Sequence, residues 1–170
     1  MSAADLLADF TDGLAAHSVT WETTTPDELT ETLRAEMRGA TVGTPLPDEV
    51  GAEPYPPGVT TSPSVEEITG ADTGITPGLL GVANYGSVVV TPNEQWDGPV
   101  SLYPPKHIAV LPRSDIVPDV PTAFAQLSER FETGADDAVF VTGVSSTGDM
   151  GASVNGVHGP TEMHVVVVGE

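Results

Sequence analysis

Val139-Phe140-Val141-Thr142-Gly143-Val144-Ser145-Ser146-Thr147-Gly148-Asp149 opens a segment that passes through Asn155-Gly156-Val157-His158-Gly159-Pro160 and closes on Met163-His164-Val165-Val166-Val167-Val168. Two apolar runs of strand length bracket a glycine-rich stretch that gathers hydroxyls, one carboxylate and one imidazole. A buried strand ending in small polar residues is where open α/β sheets present backbone N–H groups to a ligand, beyond the carboxyl ends of the strands. The pattern fits equally a solvated turn between two core strands.

Working outward, the chain alternates helix and strand patterns. Leu6, Phe10 and Leu14 recur at helical spacing with Asp5, Asp9 and Asp12 between them, which predicts an amphipathic first helix. Ser18 to Glu22 alternates like a strand. Thr25 as N-cap, Pro26 at the first helical position and Glu28 as capping-box partner predict a second helix with Leu29, Leu33 and Met37 inward, ended by Gly39. Ala40 to Gly43 reads as a strand. Six of the 16 prolines lie between Pro45 and Pro63, so that region reads as a loop, either a lid or a surface connector. Ser64 and Glu67 form a second capping box for a short helix ending near Gly70, and Pro77 is expected to open a further helical turn. Val82-Ala83 and Ser87 to Thr91 flank Asn84-Tyr85-Gly86, a hairpin signal. Pro92 to Pro105 reads as loop, His107 to Leu111 as a buried strand, and Pro118 to Phe131 as a helix with Phe124, Leu127 and Phe131 on one face. Ala138 to Thr142 and Met163 to Val168 are the closing strands. The expected fold is α/β, with a mainly parallel sheet and a hairpin insertion.

Composition narrows the function classes. At 170 residues the chain is one domain by length and buries roughly 70% of its unfolded surface. Lys106 is the only lysine, and with Arg34, Arg38, Arg113 and Arg130 it faces 25 acids, for a net charge of -20. Such self-repulsion is best tolerated in concentrated salt, where the Debye length falls to about 3 Å, and the expectation is a salt-in halophile. The same charge opposes phosphate backbones and anionic lipid, so neither nucleic acid nor membrane is an expected partner. With no cysteine, the chain offers no thiol nucleophile and no cysteine ligand for an iron–sulfur cluster. The first residues show no basic n-region or apolar h-region and no stretch nears ~20 apolar residues, which leads to the expectation of a soluble, cytoplasmic protein.

Familiar motifs are missing. There is no Gly-x4-Gly-Lys-Ser/Thr and no Gly-x-Gly-x-x-Gly after the first strand. His158, His164 and Asp149 match no common zinc spacing, so no metal site is expected. His107 and His164 read as core-strand histidines, whereas His158 lies close to glycines that permit close backbone approach. Ser145, Ser146, Thr147 and Asp149 form a possible hydroxyl and amide cradle, with Asp149 either orienting a ligand or capping a turn. A Ser-His-Asp triad lacks the nucleophile elbow that would support it.

The run from Thr142 to Asp149 followed by Gly156 to Val165 resembles the C-terminal signature of the LUD domain of the LutC/YkgG lactate-utilisation family. Upstream, Gly74-Ile75-Thr76, Gly81 to Ser87 and Leu102 to Ile108 continue the resemblance. It implies a single LUD domain over residues 1–170 with a Rossmann-like fold related to the NagB/RpiA/CoA-transferase group. It also implies an accessory ligand-binding subunit that helps iron–sulfur partner proteins oxidise L-lactate to pyruvate, with no cofactor in this chain. The ligand-binding set is Asn84, Tyr85, Gly143, Ser145, Ser146, Thr147, Asp149, His158 and Gly159. The chain departs from the family pattern in having Ser146 where an Arg is usual, Asn84-Tyr85 for an Asp-Thr pair, Gly151 near an acidic position and Thr161 near a basic one. Losing the Arg removes a bidentate anchor for a carboxylate or phosphate, although backbone N–H groups from Gly143 to Gly148 can still hold a small anion. Two other classes stand beside this one: an autonomous CoA-transferase-like enzyme on an acyl or sugar-phosphate substrate, using Asp149, and a non-catalytic regulatory binding module.

Overall fold

Ser2 starts the first helix: its hydroxyl accepts the Asp5 N–H at 3.2 Å while the Asp5 carboxylate accepts the Ser2 N–H at 3.0 Å. This capping box satisfies two donors that the first turn leaves without partners. The computed structural model describes residues 2–51, 54–92, 94–132, 137–144, 146–149, 152–155 and 159–169, of which 146–149 and 152–155 are described by backbone alone. In chain order the elements are α1 (Ala3–Ala16), β1 (Thr20–Thr24), α2 (Leu29–Glu36), β2 (Thr41–Gly43), β3 (Val59–Thr60), α3 (Val65–Gly70), β4 (Thr73–Pro77), β5 (Leu80–Val82) and β6 (Ser87–Val90). They continue with α4 (Asp97–Leu102), β7 (Lys106–Pro112), β8 (Ile116–Val117), α5 (Val120–Glu132), β9 (Val139–Val141), β10 (Ser146–Asp149), β11 (Ala152–Asn155) and β12 (Glu162–Val168).

Six strands form one sheet in the order β1-β12-β7-β4-β2-β3, and every neighbouring pair is parallel. The last long strand, β12, is an interior strand between β1 and β7, and its valine run is buried on both faces. On one face α2 buries Leu29 and Leu33 against Ile75, Ile108, Val110 and Val166. Each such leucine contributes about 1.5–3 kcal/mol by leaving water. On the other face α1 packs Phe10 and Leu14 against Ala109, Leu111, Val165 and Val167, together with Val88 and Val90 of a second sheet. That second sheet has the order β8-β5-β6-β9, with β5/β6 and β6/β9 antiparallel, and α5 covers its far side through Ala123 and Leu127. The α/β, mainly parallel, Rossmann-like expectation is met, and the hairpin at Asn84-Tyr85-Gly86 is the centre of a whole four-stranded sheet. Among the described residues no helix is long and apolar enough to cross a membrane.

Two close approaches of backbone set the layers. A Cβ on Gly86 would lie 2.1 Å from the Gly13 carbonyl carbon, and Gly86 also has φ +59°, so α1 docks directly on the turn that carries Asn84 and Tyr85. A Cβ on Gly74 would lie 2.1 Å from the Val100 oxygen, which lets α4 sit on β4.

Several local expectations are corrected. Thr25 does not cap α2: its hydroxyl bonds the Glu28 carboxylate at 3.3 Å, residues 26–28 form a turn, and the helix starts at Leu29 without a side-chain cap. The Ser64 and Glu67 box is formed as expected. Pro77 ends β4 instead of opening a helix, because its segment pairs with β7 up to Val110. The loop from Pro92 to Pro105 holds α4, and the proline-rich region holds a 3-10 turn at Asp48–Val50 and the edge strand β3. On α5 Leu127 is buried with Ala123, whereas Phe124 and Phe131 are exposed. Phe124 stacks on Phe140 with centroids 5.6 Å apart. The two runs that bracket the glycine-rich stretch, β9 and β12, belong to different sheets, and within the stretch β10 and β11 pair as an antiparallel hairpin.

Candidate functional site

The sheet order decides which end of the fold receives the glycine-rich segment. β9 runs antiparallel to β6, and the chain leaves it at Thr142-Gly143 beside the amino ends of β1 and β12. This overturns the expectation of a place beyond the carboxyl ends of the parallel strands. Gly143 has φ +80°, and a Cβ there would lie 3.1 Å from both Cβ and O of His17. Around this contact a cavity of about 590 Å³ is lined by His17, Ser18, Thr20, Thr142, Gly143 and Thr161, among others. The volume lies in the range of small-molecule sites.

Behind Thr20 the cavity backs onto a polar cluster on the α2 side of the sheet. The Thr20 hydroxyl is 2.7 Å from His164 Nδ1, and His164 Nε2 is 3.3 Å from Glu22 Oε1. Burial pushes the His164 imidazole below its usual range, against the pull of the Glu36 and Glu22 charges. The ring is therefore neutral at pH 7. Since a carboxylate accepts only, the proton belongs on Nε2 facing Glu22, and Nδ1 accepts from Thr20. Lys106, 5% exposed, donates from Nζ to Glu36 Oε2 at 2.6 Å and to the Glu36 carbonyl at 2.7 Å. The Lys106 hydrogen bond holds the Glu36 carboxyl below the ordinary range. The Glu36 carbonyl belongs to the last turn of α2, where partial negative charge favours a cation.

Glu22, Glu36 and His164 each offer a donor atom within 4.8 Å of the others, a set that could hold a metal ion. The Lys106 ammonium already neutralises Glu36 there. Sequence reasoning missed this cluster because its members lie far apart along the chain. The one available signal was a sole lysine at the start of a buried strand.

The predicted ligand-binding residues are only partly assembled. Gly143 lines the amino-end cavity and also, with Gly159, a neighbouring apolar groove of about 560 Å³ between α4 and β9. Asn84 and Tyr85 are exposed on a 3-10 turn, where the Asn84 N–H donates to the Pro118 carbonyl at 3.1 Å. They do not line that cavity. Their turn is tied to the region through Ser87, whose hydroxyl is 2.6 Å from that of Thr142. Ser146, Thr147 and Asp149 lie on β10, and Ser145 and His158 lie outside the described residues.

The family model described as LUD domain matches residues 60–168, well over half of the chain. The chain belongs to the LUD domain family. This LUD domain is 32% identical over 102 residues to Lactate utilization protein C of Geobacillus thermodenitrificans, covering 58% of the chain and 42% of that protein. It is 30% identical over 156 residues to Lactate utilization protein C of Geobacillus sp. strain WCH70, covering 88% of the chain and 61% of the relative. The chain thus spans less than two thirds of either relative. In fold, this LUD domain is similar to a DUF162 family protein from Deinococcus radiodurans, with TM-score 0.77, 22% identity and 99% of both chains covered.

Proposed function

We propose that this LUD domain is a single ligand-binding unit, residues 1–170, of a cytoplasmic lactate-utilising system. In this reading it assists iron–sulfur partner proteins in oxidising L-lactate to pyruvate. The ligand is a small anion, held at the amino-end cavity by His17, Thr20, Thr142 and the Gly143 backbone. The family resemblance, and not this lining, nominates Asn84, Tyr85, Ser145, Ser146, Thr147, Asp149, His158 and Gly159 as further ligand-binding residues. The observation that carries the reading is the packing of Gly143 against His17 beside a polar cavity of about 590 Å³ that Thr20 and Thr142 also line. The names of the relatives supply the lactate context.

Titration of the purified chain with L-lactate and pyruvate, followed by NMR, tests the site. Saturable shifts weakened in His17→Ala and Thr20→Val are expected, and shifts insensitive to both would sink it. Deletion of the gene should abolish growth on lactate; normal growth removes the lactate role. Turnover by the purified chain alone, lost in Asp149→Ala, would replace this reading with the CoA-transferase-like one.

A further inference from the structure

A second cavity, of about 550 Å³, lies at the opposite, carboxyl end of the parallel sheet. Its position follows from the topology. β2 and β4 are neighbours, yet the chain leaves them toward opposite faces. After β2, Leu46, Val50 and Tyr55 pack into the core beneath α2. After β4, the chain enters the second sheet, where Val88 and Val90 join the core beneath α1. Two parallel strands whose connections part in this way open a crevice at their carboxyl ends, the place where open α/β sheets take ligands. Pro45 and Glu49 line it on the β2 side, and Gly78 on the β4 side.

Further polar side chains of this crevice come from three segments. Asp97 starts α4 and is only 3% exposed, and Gln95 stands two residues before it. Ser114 and Asp115 follow β7, and Arg130 comes from α5. Burial pushes the Asp115 carboxyl up, and the Glu49 charge adds to this; the Ser114 hydroxyl and the Arg130 guanidinium partly offset it. Three carboxylates therefore face one guanidinium. At the last residue before Pro45, the fully buried Thr44 hydroxyl has no hydrogen-bond partner among the described residues.

With three carboxyl groups facing one guanidinium, the crevice is complementary to a molecule rich in donors and carrying positive charge. A single metal ion does not fit this lining. Among the described residues, the one set of three ligand atoms within 4.8 Å is Glu22, Glu36 and His164 at the other end of the sheet. The acids of the crevice are too widely spaced for one ion and suit an organic molecule. A free carboxylate such as lactate meets an excess of like charge there.

We infer that the crevice at the carboxyl ends of β2, β4 and β7 is a second small-molecule site, which takes a compact, hydroxyl-bearing organic amine. It does not depend on the amino-end cavity.

The test uses ethanolamine as the cationic probe, with glycerol and L-lactate as neutral and anionic comparisons. Binding to the full chain is followed by NMR in 0.5 M NaCl to screen the general field. Saturable binding of ethanolamine alone is expected. Glu49→Gln, an exposed substitution, should weaken it roughly fivefold, and Asp115→Asn at least as much. Asp9→Asn on α1 controls for net charge and should have no effect. The inference is overturned if ethanolamine does not saturate, if lactate competes for the same resonances, or if Asp9→Asn weakens binding as much as Glu49→Gln does. Loss of lactate binding in His17→Ala with ethanolamine binding intact keeps the two sites separate.

Discussion

His107 makes the stability of this fold pH-dependent in a calculable way. It is fully buried on β7, with Nε2 2.9 Å from the Thr76 hydroxyl, and burial pushes its pKa from 6.5 to about 4. The folded state therefore holds the ring neutral where the unfolded chain already binds a proton. Above pH 6.5 both states are neutral and the full stability is present. Between 6.5 and about 4 only the unfolded state gains the proton, so stability falls as pH falls; below about 4 both states are protonated and the loss stops. At 1.36 kcal/mol per pH unit the window costs roughly 3 kcal/mol. Urea unfolding at pH 7, 6, 5 and 4.5 should show this loss in the natural chain and lose most of it in His107→Gln, while titration of the other groups is common to both. Parallel stability curves for the two proteins would refute the reasoning. So would protonation of the His107 ring above pH 6 in the folded protein, read directly from its NMR resonances.

Glu36→Ala strands Lys106 in a buried position and should cost about 2–4 kcal/mol in urea unfolding, more than Lys106→Met, because Glu36 is 31% exposed and can turn to water. Equal costs would contradict that asymmetry. Since the Glu36 pKa is held down, its contribution is present above the ordinary glutamate range and lost as pH falls through the lowered folded value; Glu36→Gln should flatten that part of the acid-unfolding curve. Gly86→Ala combines a left-handed backbone with contact against Gly13 and should destabilise by about 2–4 kcal/mol, measured as a lower urea midpoint with unchanged slope. The net charge of -20 predicts a thermal midpoint that rises from dilute to molar KCl, as a salt-adapted protein requires; a midpoint insensitive to KCl removes that idea.

Local chemistry made much of the fold legible. Val165 to Val168 and His107 to Leu111 announced buried strands, Ser64 with Glu67 announced α3, and the turn at Asn84-Tyr85-Gly86 announced the antiparallel pair. Thr25 misled because the same residue types that cap a helix also stabilise a turn one step earlier, and the difference lies in whether the hydroxyl meets a backbone N–H or a carboxylate. The short α4 was hidden among prolines, since it is held by the close approach of Val100 to Gly74 and not by its own helical preference.

For function, the family and the glycine-rich segment were readable from residue order alone. The end of the sheet at which that segment lies was not. It depends on β12 inserting between β1 and β7 and on β9 joining the other sheet. Lys106 and Glu36, and the crevice acids Glu49, Asp97 and Asp115, are likewise distant in sequence and meet only once the layers pack. Periodicity and capping are set by neighbours within a few residues and so are written in the chain. Charge pairs and cavities arise from strand order and register, which the packed core selects.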